Sequence, residues 1–257
     1  MEYLKKFFKY KGLIQELVAR DLKVKYRRSF LGYIWTILSP LLMMIVVSIV
    51  FSYLFRYEIA NYTVYLLSGQ ILFGFFSEAT TNAMSSVISN RALLSKVSVP
   101  KYMFPLSRTI SAFVNLIFAL IAIVFMLIIT RAEIHLTLFL FFLPLIYLFF
   151  VALGVGLILA TLAVFFRDIL HIYSVLITAL MYFTPIFYPV TILPEYALKL
   201  MNLNPLYHII EMFRSHVMYG QLSSLRTHII CAAMSTVLMV AGLLFFKRNQ
   251  DKFVMYI

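Results

Sequence analysis

The chain has 257 residues, 63% of them hydrophobic and only 12% charged, with a mean hydropathy of +0.95. A soluble domain would carry about a quarter charged residues, and apolar runs long enough to span a bilayer recur along this chain. A soluble protein is thereby excluded, as is a β-barrel, whose strands alternate polar and apolar residues over short segments. The net charge of +12 would suit nucleic acid if the basic residues clustered for it, but their distribution along the chain assigns them to a membrane surface.

Met1 to Tyr10 mixes Lys with Phe and Tyr, as a segment at a lipid headgroup surface does. Lys11-Gly12 breaks it. From Leu13 to Lys25, Ile14, Val18 and Leu22 fall on one helical stripe, with Glu16, Arg20, Asp21 and Lys23 on other faces. The pattern predicts an interfacial amphipathic helix along the cytoplasmic leaflet. Residues 1–30 are then a cytoplasmic interfacial segment, and residues 31–257 a six-helix transmembrane domain. Arg20, Lys23, Lys25, Arg27 and Arg28 precede a Ser-Phe-Leu-Gly hinge, and no charge follows between Ser29 and Phe55. A basic block against a long apolar block places the N-terminus in the cytoplasm. No cleavable signal peptide is expected, since the first apolar run begins near residue 30 and is too long for a signal core.

Six spans are predicted. The first, about Leu31 to Phe55, contains Pro40, tolerable where neighbouring helices satisfy the freed carbonyl. The second, about Tyr62 to Val87, holds Gly69, Gly74 and one acid, Glu78, expected to pair within the bundle with a polar neighbour such as Asn82 or Thr81; a role in the pathway or at the cytoplasmic gate is the alternative. Asn90 to Arg108 is a basic inner loop that overlaps the third span, Met103 to Thr130. The fourth, Leu136 to Phe166, carries Gly154 and Gly156 for close helix approach. The fifth runs from Ile169 to Phe187 and the sixth from Thr227 to Phe246. Between them, Tyr188 to Ser224 is amphipathic and contains Pro189, Pro194 and Pro205. Two short helices are expected there, with residues 189–224 as a re-entrant hairpin in the outer leaflet. With both termini inside, inner segments hold 17 Lys/Arg and outer segments five, a strong positive-inside bias that places the excess against anionic headgroups.

Enzymatic chemistry is not legible. Gly69 to Gly74 is followed by Phe75, not by the Lys of a phosphate-binding loop. His208 and His216 lack metal spacing, and the ten acids and five histidines are scattered rather than clustered. Cys231 lies within an apolar run, as a small buried residue does. No catalytic residue, metal ligand or resident cofactor is assigned. The buried charges of an ion-coupled carrier are missing as well, so energy for any transport must come from another chain.

Three stretches, in order, resemble one family. They are ARDLKVKYRRSFLGYIWTILSPL from Ala19, FFRDILHIYSVLITALMYFTPIFYPVTILPE from Phe165 to Glu195, and NPLYHIIEMFRSHVMYG from Asn204 to Gly220. Together they are similar to the permease subunits of type-2 ABC exporters of bacterial cell-surface polysaccharide, the O-antigen and teichoic-acid export permeases. The resemblance implies a half-transporter of the bacterial inner membrane. Two copies would form the pore, and two separate ATPase subunits, holding ATP and Mg, would dock on the cytoplasmic face. The cargo would be a polysaccharide on a polyprenyl pyrophosphate lipid.

Within the sequence, Asn90 to Pro100 is the candidate ATPase-coupling element. Ala92, Leu93, Leu94 and Val97 would dock, flanked by Arg91 and Lys96; a plain positive-inside loop is the competing reading. Tyr33, Trp35, Tyr182, Phe183, Phe187 and Tyr188 are candidates for a glycan pathway or gate, because sugar C–H faces stack on rings; an interfacial aromatic belt is the alternative. Arg27 and Arg28 sit where a pyrophosphate would approach and can pair with it bidentately, although ordinary anionic lipid would attract them equally. Glu211 and Arg214, three apart on a helix, are expected to pair structurally. Efflux of a drug or smaller lipid, a membrane enzyme acting on polyprenyl phosphate and a passive channel are the competing functions.

Overall fold

The computed structural model describes residues 10–26, 29–55, 59, 61–94 and 99–256, and every regular element among them is helical. The first, α1 (Lys11–Tyr26), is the predicted amphipathic helix. The stripe that packs is shifted from the expected one: Ile14 and Leu17 are buried, whereas Val18 and Leu22 are only half-buried. The buried edge lies against α5 (Met103–Ile129), so this helix rests on protein.

The hinge after α1 turns at Gly32, whose φ of 50° is open to glycine at little cost. Ser29 Oγ accepts the Gly32 amide at 3.2 Å. The chain then enters α2 (Ile34–Phe55), which runs through Pro40. Next, α3 (Tyr62–Ser89) is capped by Asn61, whose Nδ2 also donates to Thr130 at the far end of α5 (2.8 Å). A single turn, α4 (Arg91–Leu94), follows before α5.

Leu136–Leu140 forms a 3-10 turn ahead of α6 (Phe142–Phe165). The fifth apolar helix, α7 (Ile169–Phe183), stops four residues before the predicted Phe187. Pro185 is the cause: a proline disfavours helical backbone at the residue before it, and Thr184 is extended, with ψ 135°. The amphipathic stretch holds the two expected short helices, α8 (Glu195–Met201) and α9 (Pro205–Val217). Asn204 caps α9, and Pro205 opens it, where a missing N–H costs nothing. Then α10 (Leu225–Asn249) leads through a 3-10 turn to α11 (Phe253–Tyr256).

Among the described residues, three helices are long and apolar enough to cross a membrane: Met103–Ile129, Leu136–Phe165 and Leu225–Lys252. Ile34–Val50 and Ile169–Phe183 are shorter apolar helices. The 28-residue α3 carries Glu78 and is largely buried, packed between α2, α5 and α6. Against α6 lies α10, and the two backbones meet at Gly154 and Gly242. A Cβ on Gly154 would strike the Leu238 carbonyl, and one on Gly242 would strike the Gly154 carbonyl. Gly156 faces Ala83 of α3 in the same manner. Small residues permit this approach, and dispersion holds it where lipid removes the hydrophobic drive between helices. By contrast α7 buries only Tyr173.

Candidate functional site

The end of the bundle bearing α1 is tied by charge. Asp21, with a side chain only 7% exposed, accepts from Arg108 of α5 at 3.0 Å and from Arg20 at 3.2 Å. Removing Arg108 would leave the buried carboxylate paired with Arg20, at the cost of one charge-assisted hydrogen bond, about 1.5–3 kcal/mol. Arg20 also reaches Asn90 Oδ1 at 3.2 Å. Asn90 caps α3 and immediately precedes α4, so α1 is joined to the start of that short helix. Further along α1, Lys25 Nζ lies 2.6 Å from Glu78 Oε1, which also accepts from Asn115 Nδ2 at 2.8 Å. Glu78 therefore pairs across 53 residues, not with the expected Asn82 or Thr81. A partner so distant in sequence leaves no local pattern.

Beside this pair lies a cavity of about 270 Å³. From α3, Gln70, Gly74 and Glu78 line it at four-residue spacing, one stripe of a helix. Trp35, Thr36, Ser39 and Pro40 supply the α2 wall, and Ala112, Asn115 and Ala119 the α5 wall. Oε1 of Gln70 and Oδ1 of Asn115 are buried and have no hydrogen-bond partner among the described residues.

A second polar assembly lies at the opposite end of α3, where the chain leaves α7. Arg214 of α9 is fully buried. Its guanidinium donates to the carbonyls of Pro185 (2.9 Å) and Tyr65 (3.1 Å), to Ser68 Oγ (3.4 Å) and to Glu211 (2.8 Å). The guanidinium carbon stands 3.4 Å from the Tyr65 ring centre, a cation–π contact. A Cβ at position 69 would lie 2.8 Å from Arg214 Nη2, so glycine there makes the room. The irregular segment after α7 is held by the same group. Tyr65 donates to the Tyr188 carbonyl at 2.9 Å and Tyr62 to that of Phe187 at 2.8 Å. Asn204 donates to Thr184 Oγ1 at 3.0 Å. Buried backbone outside a helix needs such partners. The expected Glu211–Arg214 pair is present, but it is one of five contacts. What sequence reasoning missed was a fully buried arginine clamping two carbonyls; the available signal was a lone basic residue on the apolar face of α9.

The predicted residues fall into separate groups. Trp35 lines the cavity, while Tyr33 turns to Phe118 of α5, with ring centres 5.8 Å apart. Tyr182, Phe183, Phe187 and Tyr188 gather around the end of α7. Tyr188 donates to the carbonyls of Tyr182 (2.9 Å) and Phe183 (3.0 Å), and the Tyr182 and Phe187 rings sit 6.0 Å apart. Tyr182 is 62% exposed. Arg91, Ala92, Leu93 and Leu94 form α4, in which nothing is buried. Lys96, Val97, Arg27 and Arg28 lie outside the described residues. Among the described residues no group of three or more His, Cys, Asp or Glu could hold a metal ion.

Comparison with known proteins gives the lineage. Over 246 residues, 94% of this chain and 95% of the relative, the sequence is 24% identical to the polysialic acid transport protein KpsM of Escherichia coli. A 117-residue stretch is 33% identical to the O-antigen export system permease protein RfbA of Myxococcus xanthus, covering 46% of this chain and 45% of that one. A 96-residue stretch is 35% identical to the protein of the same name from Klebsiella pneumoniae, 37% of each. In these two matches the chain spans less than half of the relative's length. Residues 12–218 match the ABC-2 type transporter family, and that extent, most of the chain, shows that this protein belongs to it.

Proposed function

We propose that this chain is the transmembrane subunit of an ATP-driven exporter that moves polyprenyl-pyrophosphate-linked polysaccharide from the cytoplasmic side across the bacterial inner membrane. The observation that carries the proposal is the match along nearly the whole chain to a polysialic acid transport protein, within a family of ABC-2 type transporters. In this reading six helices span the membrane, both termini are cytoplasmic, and residues 189–224 form a re-entrant outer element. Residues 1–30 form the cytoplasmic interfacial segment and 31–257 the transmembrane domain. A second copy of the chain completes the pore. Two ABC subunits supply ATP and Mg, and this chain binds no cofactor of its own.

The proposed coupling surface is Arg91, Ala92, Leu93, Leu94, Lys96 and Val97. Exposure of the short helix α4 and its link through Asn90 to Arg20 support it: a push there reaches α1. Arg27 and Arg28 are proposed to meet the lipid pyrophosphate. Tyr33, Trp35, Tyr182, Phe183, Phe187 and Tyr188 are proposed to line the glycan's path. The sparse packing of α7 supports a pore-facing or copy-facing role for that helix. Deleting the chain removes surface polysaccharide, and an affinity-tagged version recovers an ABC ATPase. Intact surface polysaccharide in the deletion strain overturns the proposal and favours efflux of a drug or smaller lipid.

A further inference from the structure

The loop that joins α3 to α5 is fastened at both of its ends. Within it, α4 has four residues and buries none of them. So short a helix has little stability of its own, and its stiffness must come from what it is tied to. On the α3 side, Asn90 donates to the Ser86 carbonyl at 2.8 Å and accepts from Arg20 of α1 at 3.2 Å. On the α5 side, Lys101 reaches a partner 149 residues away in sequence. Its ammonium donates to the Gln250 carbonyl at 2.6 Å and stands 5.8 Å from the centre of the Phe253 ring, within cation–π range.

Gln250 is the C-cap of α10. A helix end leaves its last carbonyls unpaired and carries partial negative charge, so an ammonium group is favoured there. Ordering a lysine side chain costs entropy, which the carbonyl and the ring offset together. Apolar contacts follow the same line. Phe253 is fully buried in a cluster with Val87 of α3, Val164 of α6 and Phe246 of α10. Leu94 of α4 and Tyr102, the neighbour of Lys101, pack against that cluster. Phe253 meets Phe246 and Phe165 edge-on, with ring centres 5.2 and 6.0 Å apart. The terminal segment thus joins the loop to α6 and α10, whose backbones touch at Gly154 and Gly242.

We propose that Lys101 is a positioning residue for energy coupling: with Phe253 it fixes the loop that bears α4 to the end of α10, so that a push on α4 moves α6 and α10 as one body. This role rests on the reading of α4 as the ATPase contact. That reading names where force enters, and Lys101 gives the force its route.

Two readouts test the role. In the full chain in lipid nanodiscs, a nitroxide is attached at Ala92→Cys, an exposed position, while the native Cys231 is buried. Lys101→Met keeps an apolar stem and removes the ammonium; it raises the mobility of the label, and Lys101→Arg does not. In proteoliposomes with the ATPase recovered alongside the chain, Lys101→Met lowers the glycan transferred per ATP hydrolysed by about 2- to 30-fold, the range that changes along a coupling route produce. Hydrolysis and ATPase recovery stay at the parent's level, and Lys101→Arg restores the ratio. Phe253→Leu, apolar but without the ring, shifts the ratio in the same direction and keeps the test decisive should Lys101→Met not fold. An unchanged label, or a mobile label with the parent's transfer per ATP, overturns the role. Hydrolysis and transfer lost in equal measure overturn it as well, since that marks lost docking or folding. Leu93→Asp on α4 separates the two readings. Parent-level ATPase recovery and transfer in Leu93→Asp remove the coupling reading and this role with it. Loss in Leu93→Asp with parent behaviour in Lys101→Met removes the role of Lys101 alone. A parent without ATP-driven transfer removes the export reading and the role together.

Discussion

Two adjoining stretches of α3 meet polar groups in opposite conditions. Around Tyr65, Ser68 and Gly69, Arg214 is fully buried and engages four acceptors and a ring. Around Gln70 and Glu78, the amide oxygens of Gln70 and of Asn115 from α5 are buried with no partner among the described residues. Roughly 20 Å of helix, at 1.5 Å per residue, separates Tyr65 from Glu78. A saturated network fixes one conformation and resists exchange. An unsaturated one carries a cost in stability. The first is therefore a clamp on the irregular backbone after α7, and the second a looser part of the same helix's surroundings.

The largest expected effect is at the clamp. Arg214→Leu removes charge-assisted bonds to the Pro185 and Tyr65 carbonyls and to Glu211, each worth about 1.5–3 kcal/mol, and should destabilise the fold accordingly, read as a lowered thermal unfolding midpoint in detergent. Arg214→Lys should recover only part of this, because an ammonium lacks the planar fork that serves several acceptors at once. Equal stability of the leucine variant and the parent would dissolve the contrast between the two stretches.

The next test compares two glycines five residues apart on one helix. Gly69→Ala places a methyl against Arg214 Nη2 and Ile186, and should cost about 1–3 kcal/mol through overpacking. Gly74→Ala meets open space, and should be neutral or stabilising by up to about 1 kcal/mol, the helix-propensity difference. Parallel unfolding curves for the two variants would show that the two stretches of α3 do not differ as described.

Smaller still is the exposed pair at the cavity edge. Lys25 and Glu78 side chains are 41% and 30% exposed, so Lys25→Ala should change stability by no more than about 1 kcal/mol. A several-kcal/mol loss on the same assay would make the pair part of the clamp class. Arg108→Ala, which removes the α5 partner of buried Asp21 and leaves Arg20, serves as its counterpart and should loosen α1, seen as faster protease cutting between residues 11 and 26.

The sequence made the helices legible because apolar length and charge boundaries are local signals. It also supported the two short helices before α10, through Pro194, Pro205 and the amphipathic character of the stretch; the structure buries Leu206, Ile209, Ile210 and Phe213 there. The end of α7 was placed four residues late because apolar content was weighed above Pro185. The helix approach at Gly154 was readable, but its partner Gly242 was not, since the contact joins residues far apart in sequence. The same limit hid the partners of Glu78 and Arg214. A lone charge in an apolar stretch announces that a partner exists; only the fold says that the partners are Lys25 and Asn115 in one case, and Tyr65, Ser68 and Pro185 in the other. Trp35 was picked out for its ring, whereas Gln70 and Asn115, which line the same cavity, passed as ordinary polar residues within spans.

The central claim is that the chain, with a second copy and two ABC subunits, moves a lipid-linked glycan at the expense of ATP. The direct measurement is transfer in proteoliposomes that contain the chain and the ATPase recovered with it, with polyprenyl-pyrophosphate-linked glycan placed on the ATPase side. Transfer is scored as susceptibility of the glycan to a glycosidase confined to the opposite compartment. The account predicts transfer that requires ATP and stops when the ATPase is inactivated. Glycan movement without ATP, or none while a small amphiphile is moved on ATP addition, would contradict it.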